Sequence, residues 1–113
     1  MIEAFILEKG VKKTSNLKTS KRIWADVTDP SKSDLEKLSQ TFHLHTLTLE
    51  DCSKTGNRVK LEQFPEYIFI ITYGLESGKK GPIAFQMNFV LGKNFLLTVH
   101  KEKIHSFDSL KSD

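Results

Sequence analysis

The stretch FHLHTLTLEDC, Phe42 to Cys52, gathers two histidines, a glutamate, an aspartate and the only cysteine of the chain. These are metal-ligating side chains, and their spacing decides which metal they could hold. His43 and His45 form an H-x-H pair, which points to one side where the backbone is extended. Their zinc partners would have to be Glu50, Asp51 or Cys52, on a helix turning away from them. A closed zinc site uses C-x-x-C or H-x-x-x-H pairs that converge without distant help. The spacing therefore predicts helix-end or loop contacts for His43 and His45. Cys52, on the same helix face as Leu49, is expected to be a small buried apolar residue.

Glu50 and Asp51 carry a different chemistry. Adjacent helix positions lie about 100° apart, so the pair spans a corner of surface. Each carboxylate can offer oxygen to a hard cation such as Mg²⁺ or Ca²⁺, but neither closes a site alone. Mg²⁺ keeps much of its water and takes one or two carboxylates, so a half-site completed by another chain is physically sound. The competing reading is an exposed acidic surface facing Lys54, and on the residues alone it is the simpler one. No Ser-His-Asp order, nucleophile elbow, Gly-rich phosphate loop or spaced carboxylate pair stands out, so an enzyme is not expected. His100 and His105 have no obvious partner nearby in sequence.

The elements that must position this corner follow from periodicity. MIEAFILEKG and KRIWADVTD alternate as strands, the second with Ile23, Ala25 and Val27 against Trp24 and Asp26. Asp29 with Pro30, then Ser33 with Glu36, predict a helix start, and Leu35, Leu38 and Phe42 give its apolar face. A second short helix is expected from Thr46 to Ser53, before Gly56-Asn57. Strand patterns then run over Arg58–Gln63, Tyr67–Tyr73, Ile83–Leu91 and Phe95–Val99, with turns at Ser77–Pro82 and Gly92–Asn94. Tyr67–Tyr73 reads as a central strand covered on both faces. HSFDSLKSD reads as an amphipathic helix begun and cut, so a fragment of a longer protein is expected. The pattern as a whole predicts a mixed α/β (α+β) domain.

With one cysteine among 113 residues there is no internal disulfide, and a reducing compartment is expected. MIEAFILEKG is too short in its apolar run for a signal peptide, and YIFIITY is far shorter than a membrane helix. A soluble, cytosolic piece is expected. Lys9, Lys12, Lys13, Lys18, Lys21 and Arg22 cluster early, but no aromatic lies between Gly10 and Lys21. That predicts a solvated hairpin or loop and no nucleic-acid partner.

The middle of the chain resembles the N-terminal cytoplasmic domain of the CorA family of magnesium transporters. Phe42, Leu44-His45, Leu47, Glu50-Asp51, Arg58, Lys60, Glu62 and Tyr67 fall in the family's order, with Trp24-Ala25-Asp26 upstream and VLGKNFLLTVHKEKI downstream. Thr46 and Val59 stand where the family has proline, and His43 where it has glycine. The resemblance implies a mixed, largely antiparallel sheet flanked by short helices, in a pentameric cytoplasmic funnel. The family's stalk helix, its two membrane helices and its Gly-Met-Asn signature are not in this sequence. The resemblance further implies that Glu50 and Asp51 form half of an intersubunit Mg²⁺ site that favours the closed state of a channel. Binding by the isolated domain would be weak. A zinc or other divalent-cation transporter of the same superfamily, or a free-standing ligand-binding module, are the alternatives.

Overall fold

Among the described residues, alternating side chains and well-placed turns build seven strands: β1 Ile2–Leu7, β2 Val11–Thr14, β3 Ile23–Thr28, β4 Lys60–Gln63, β5 Tyr67–Gly78, β6 Gly81–Gly92 and β7 Phe95–His100. Two helices, α1 Lys32–Phe42 and α2 Thr46–Cys52, lie between β3 and β4; a 3-10 turn, His105–Phe107, and α3, Asp108–Lys111, follow β7. This computed structural model describes residues 1–19 and 21–112. The strands form one sheet in the order β2-β1-β3-β7-β6-β5-β4. Every neighbouring pair is antiparallel except β3 with β7, which run parallel with Ala25 opposite Leu97. The mixed, largely antiparallel sheet expected above is therefore present.

The two sheet faces have different chemistry. On one, Ile23, Ala25 and Val27 join Leu97, Val99, Val90, Phe69 and Ile71 under Leu38 and Phe42 of α1 and Cys52 of α2. Burying side chains such as Leu38 and Phe69, at 1% and 0% exposure, stabilises by about 1.5–3 kcal/mol each. On the opposite face Trp24 packs between Phe5 and Phe107, with ring centroids 5.2 and 5.5 Å away. Beside this aromatic layer lie the buried polar side chains of Asp26, Thr98 and His100.

Several local expectations shift. Helix α1 is capped by Ser31 and Asp34, rather than by Asp29 or by Ser33 with Glu36. Ser31 Oγ accepts from the Asp34 N–H at 3.1 Å, and the Asp34 carboxylate accepts from the Ser31 N–H at 3.0 Å. Asp29 cannot begin the helix because it has a left-handed φ of 45° and donates its N–H to the His100 carbonyl, prolonging the β3–β7 pairing. β5 is next to the edge strand β4, so it is not central; β3 and β7 are the strands buried on both faces. Run length could not reveal this, because the cover on the second face comes from the 3-10 turn near the C-terminus. The β5–β6 hairpin continues in register to Gly78 and Gly81, leaving Lys79-Lys80 as the turn in place of Ser77–Pro82. The early basic segment contains β2, a short strand that lines the sheet edge.

Candidate metal corner

α2 carries the acidic pair, and its start is fastened from both sides. His45 is the N-cap: its Nδ1 accepts from the Leu47 N–H at 3.1 Å. The phenol oxygen of Tyr67 accepts from the His45 N–H at 2.9 Å and lies 2.7 Å from Thr48 Oγ1. The ring of Phe64 lies 5.3 Å from that of His45 and 4.8 Å from that of Tyr67. These contacts fix the helix start although Thr46 replaces the proline that would pre-set it. Tyr67→Phe removes the shared hydroxyl and leaves the fully buried Thr48 without it, so it is expected to cost about 1–3 kcal/mol. Urea unfolding checks this: the midpoint should fall with an unchanged slope, and an unchanged midpoint would show that the hydroxyl does not hold α2.

The other transition-metal candidates point apart. His43 is exposed and caps α1 in the left-handed region at φ 55°, with its N–H donated to the Ser39 carbonyl at 2.8 Å. That backbone conformation favours glycine. Cys52 is buried in the core, where burial, and then the charge of Asp51, push its thiol up to about 12. It is held as a neutral, poorly nucleophilic thiol. Among the described residues there is no cluster of three or more His, Cys, Asp or Glu side chains that could hold a metal.

The acidic corner itself is arranged differently from the expected pairing with Lys54. Glu50 is exposed, whereas Asp51 is turned toward β4. The ammonium of Lys60 lies 2.5 Å from Asp51 Oδ2 and 2.7 Å from Glu62 Oε1. The contacts with Asp51 and then Glu62 raise the Lys60 pKa, against a smaller opposing effect of burial. A cation therefore already sits between two carboxylates, supplied by the chain itself. Asn57 holds the loop that follows α2, donating its Nδ2–H to the Asp51 carbonyl at 3.0 Å and its backbone N–H to Gln86 at 3.0 Å. Lys60 and Asn57 follow α2 closely in sequence, but only the fold of the loop and of β4 turns them back onto Asp51. The β4–β5 register, Lys60 opposite Ile71, brings the lysine to the helix-covered face.

His100 also finds a partner that its neighbours in sequence do not supply. Its Nε2 lies 2.5 Å from Oδ1 of Asp26, across the parallel β3–β7 pair. No helix among the described residues is long and apolar enough to cross a membrane.

Residues 20–113 match the family described as CorA-like Mg²⁺ transporter protein. The magnesium transport protein CorA of Wolinella succinogenes is 29% identical over 99 residues, covering 83% of this chain and 31% of that protein. The complete CorA magnesium transporter of Methanocaldococcus jannaschii superimposes with a TM-score of 0.81 at 20% identity, covering 99% of this chain and 36% of that one. The ZntB cytoplasmic domain of Vibrio parahaemolyticus gives a TM-score of 0.78 at 9% identity, covering 97% of this chain and 47% of that one. The chain thus spans about a third of the length of the full transporters, and the structural likeness establishes the fold. The chain belongs to the CorA-like Mg²⁺ transporter protein family, a family of transporters and not of enzymes.

Proposed function

We propose that this chain is the N-terminal cytoplasmic regulatory domain of a divalent-cation transport protein, acting as one subunit of a homopentamer. Glu50 and Asp51 supply half of a cation site, Mg²⁺ in the first instance, and a neighbouring subunit supplies the rest. The observation carrying this reading is the occupied corner: Asp51 and Glu62 draw the Lys60 ammonium to 2.5 and 2.7 Å, and exposed Glu50 lies one residue from Asp51. Closely set carboxylates repel, and a shared cation offsets that repulsion, so its departure lets subunits shift. A hard, hydrated ion suits an oxygen-only half-site of this kind. Zinc or another divalent ion, the alternative that the resemblance leaves open, is the second reading of the cargo.

Lys60 is a tethered competitor in this scheme, because its charge already neutralises Asp51. In calorimetry the isolated chain should bind Mg²⁺ only weakly. Lys60→Met should tighten that binding by about 3- to 10-fold, equivalent to about 1 kcal/mol. Tight binding by the monomeric wild-type chain would contradict a site shared between subunits. An unchanged affinity in Lys60→Met would contradict the role of Asp51 as a ligand. Titration with Zn²⁺ in the same cell compares the two readings of the ion.

A further inference from the structure

The buried polar group on the second sheet face has no part in the cation site, and its hydrogen bonds are unusually demanding. His100 is 3% exposed, and both of its ring nitrogens face acceptors. Nε2 lies 2.5 Å from Asp26 Oδ1, and Nδ1 lies 2.6 Å from the carbonyl oxygen of Glu102. A backbone carbonyl can only accept, and an ionised carboxylate can only accept, so both nitrogens are satisfied together only when both carry protons. Asp26, 1% exposed, is an ionised acceptor by the same count: Thr98 Oγ1 donates to Oδ1 at 2.7 Å and Lys111 Nζ to Oδ2 at 2.6 Å. Lys111 also donates to Glu3 Oε1 at 2.8 Å.

We propose that Asp26 is the anchor of a charge latch, in which imidazolium His100 and ammonium Lys111 together fasten the C-terminal helical segment to the sheet. The two arms join different parts of that segment. His100 holds the carbonyl of Glu102, which leads into the 3-10 turn, and Lys111 holds the last turn of α3. Phe107 lies between them, 5.5 Å from Trp24 and 6.1 Å from the His100 ring by centroid. With His100 charged, Asp26 and Glu3 are balanced by His100 and Lys111. Without the second imidazole proton a ring lone pair faces an acceptor oxygen, and Lys111 is left to serve both Asp26 and Glu3. The segment from Glu102 to Lys111 is what gives way, because the strands are held by their own ladders.

The surrounding charges are few. Glu3 on β1 is approached by Lys13 of β2 at 3.6 Å, and Asp29, Lys101 and Glu102 line the groove beside His100. Within the segment, Lys103 and His105 approach Asp108 at 3.7 and 3.9 Å, at exposed positions. None of these replaces the two charged donors on Asp26, His100 and Lys111.

Long-range proton–nitrogen NMR on the ¹⁵N-labelled chain tests the latch, with the His100 signals assigned from backbone connectivities. Both His100 ring nitrogens should show the protonated signature in the native chain. His100→Gln should lower amide protection over residues 105–112 at least about 5-fold, and Lys111→Met by a similar factor, while the amides of β5 and β6 stay within about twofold. A neutral His100 tautomer in the native chain would overturn the proposal. So would protection of residues 105–112 that ignores both substitutions. Lys111 is only part-buried, on a short helix outside the sheet, so its variant is expected to fold.

Discussion

Replacing Asp26 by alanine is expected to lower the thermal midpoint by roughly 10–20 °C, a loss of about 3–5 kcal/mol. The carboxylate takes hydrogen bonds from His100, Thr98 and Lys111 in a site with almost no solvent access. Alanine removes the acceptor but leaves the donors, so the penalty is that of a buried charge without its partner, beyond the loss of the attraction itself. A domain of ordinary stability has about 5–15 kcal/mol in total, so this one change consumes much of it. Asp26→Asn keeps the shape and one acceptor oxygen and should fall between alanine and wild type. A midpoint within about 3 °C of wild type for Asp26→Ala would show that the polar layer contributes little.

The same group sets how stability depends on pH. Burial pushes the Asp26 carboxyl up, but the bonds from His100, Lys111 and Thr98, with the charge of His100, outweigh it and hold it below the usual carboxylate range. A depressed carboxyl contributes stability that is present above its unfolded value and is lost as pH falls through its folded value. Lys111 has the opposite sign. Burial works against its charge, yet its contacts with Asp26 and Glu3 win and raise it. Its contribution is present below the ordinary lysine range and is lost as pH rises through the raised value. The stability deficit of Asp26→Ala in urea unfolding should therefore be full near neutral pH and shrink as pH falls through the depressed carboxyl value.

The second large effect concerns cation control. In a full-length protein carrying this domain, the combined Glu50→Ala and Asp51→Ala variant removes both carboxylates proposed above as cation ligands. Couplings of this kind amount to about 1–3 kcal/mol, or about 5- to 150-fold in the ligand concentration that shifts the equilibrium. Uptake should therefore persist to an internal Mg²⁺ level at least about 5-fold above the wild-type shut-off point. Asp51→Ala alone should give a smaller shift of the same sign, because exposed Glu50 remains. Lys60→Met should move the shut-off to lower Mg²⁺, since the competing ammonium is gone.

Much of the architecture was readable in advance because each element has its own local cause. The alternation in IWADVT and FLLTVH defines β3 and β7, and Leu35, Leu38 and Phe42 mark the buried stripe of α1. What escaped was set by distant pairing. Asp26 and His100 are 74 positions apart, and only the parallel register between β3 and β7 makes them partners. Alternation sets Trp24 and Asp26 on the face opposite Ile23, Ala25 and Val27 but does not reveal that the segment carrying Phe107 and Lys111 covers them. Lys60 looked like one of several charges on β4, and the register with β5 turned it under α2 to meet Asp51. His43 was legible: a helix-end role was expected, and it fills the left-handed cap at the end of α1, a conformation that favours glycine.

The claim that α2 presents a regulatory cation corner is tested most directly by transport. The measurement is Mg²⁺ uptake by full-length protein in vesicles loaded with a graded series of internal Mg²⁺, for wild type and for the Glu50→Ala, Asp51→Ala double variant. The account predicts that both take up Mg²⁺ at low internal concentration and that only the variant continues once wild type has closed. A variant that closes at the same internal Mg²⁺ as wild type would contradict it.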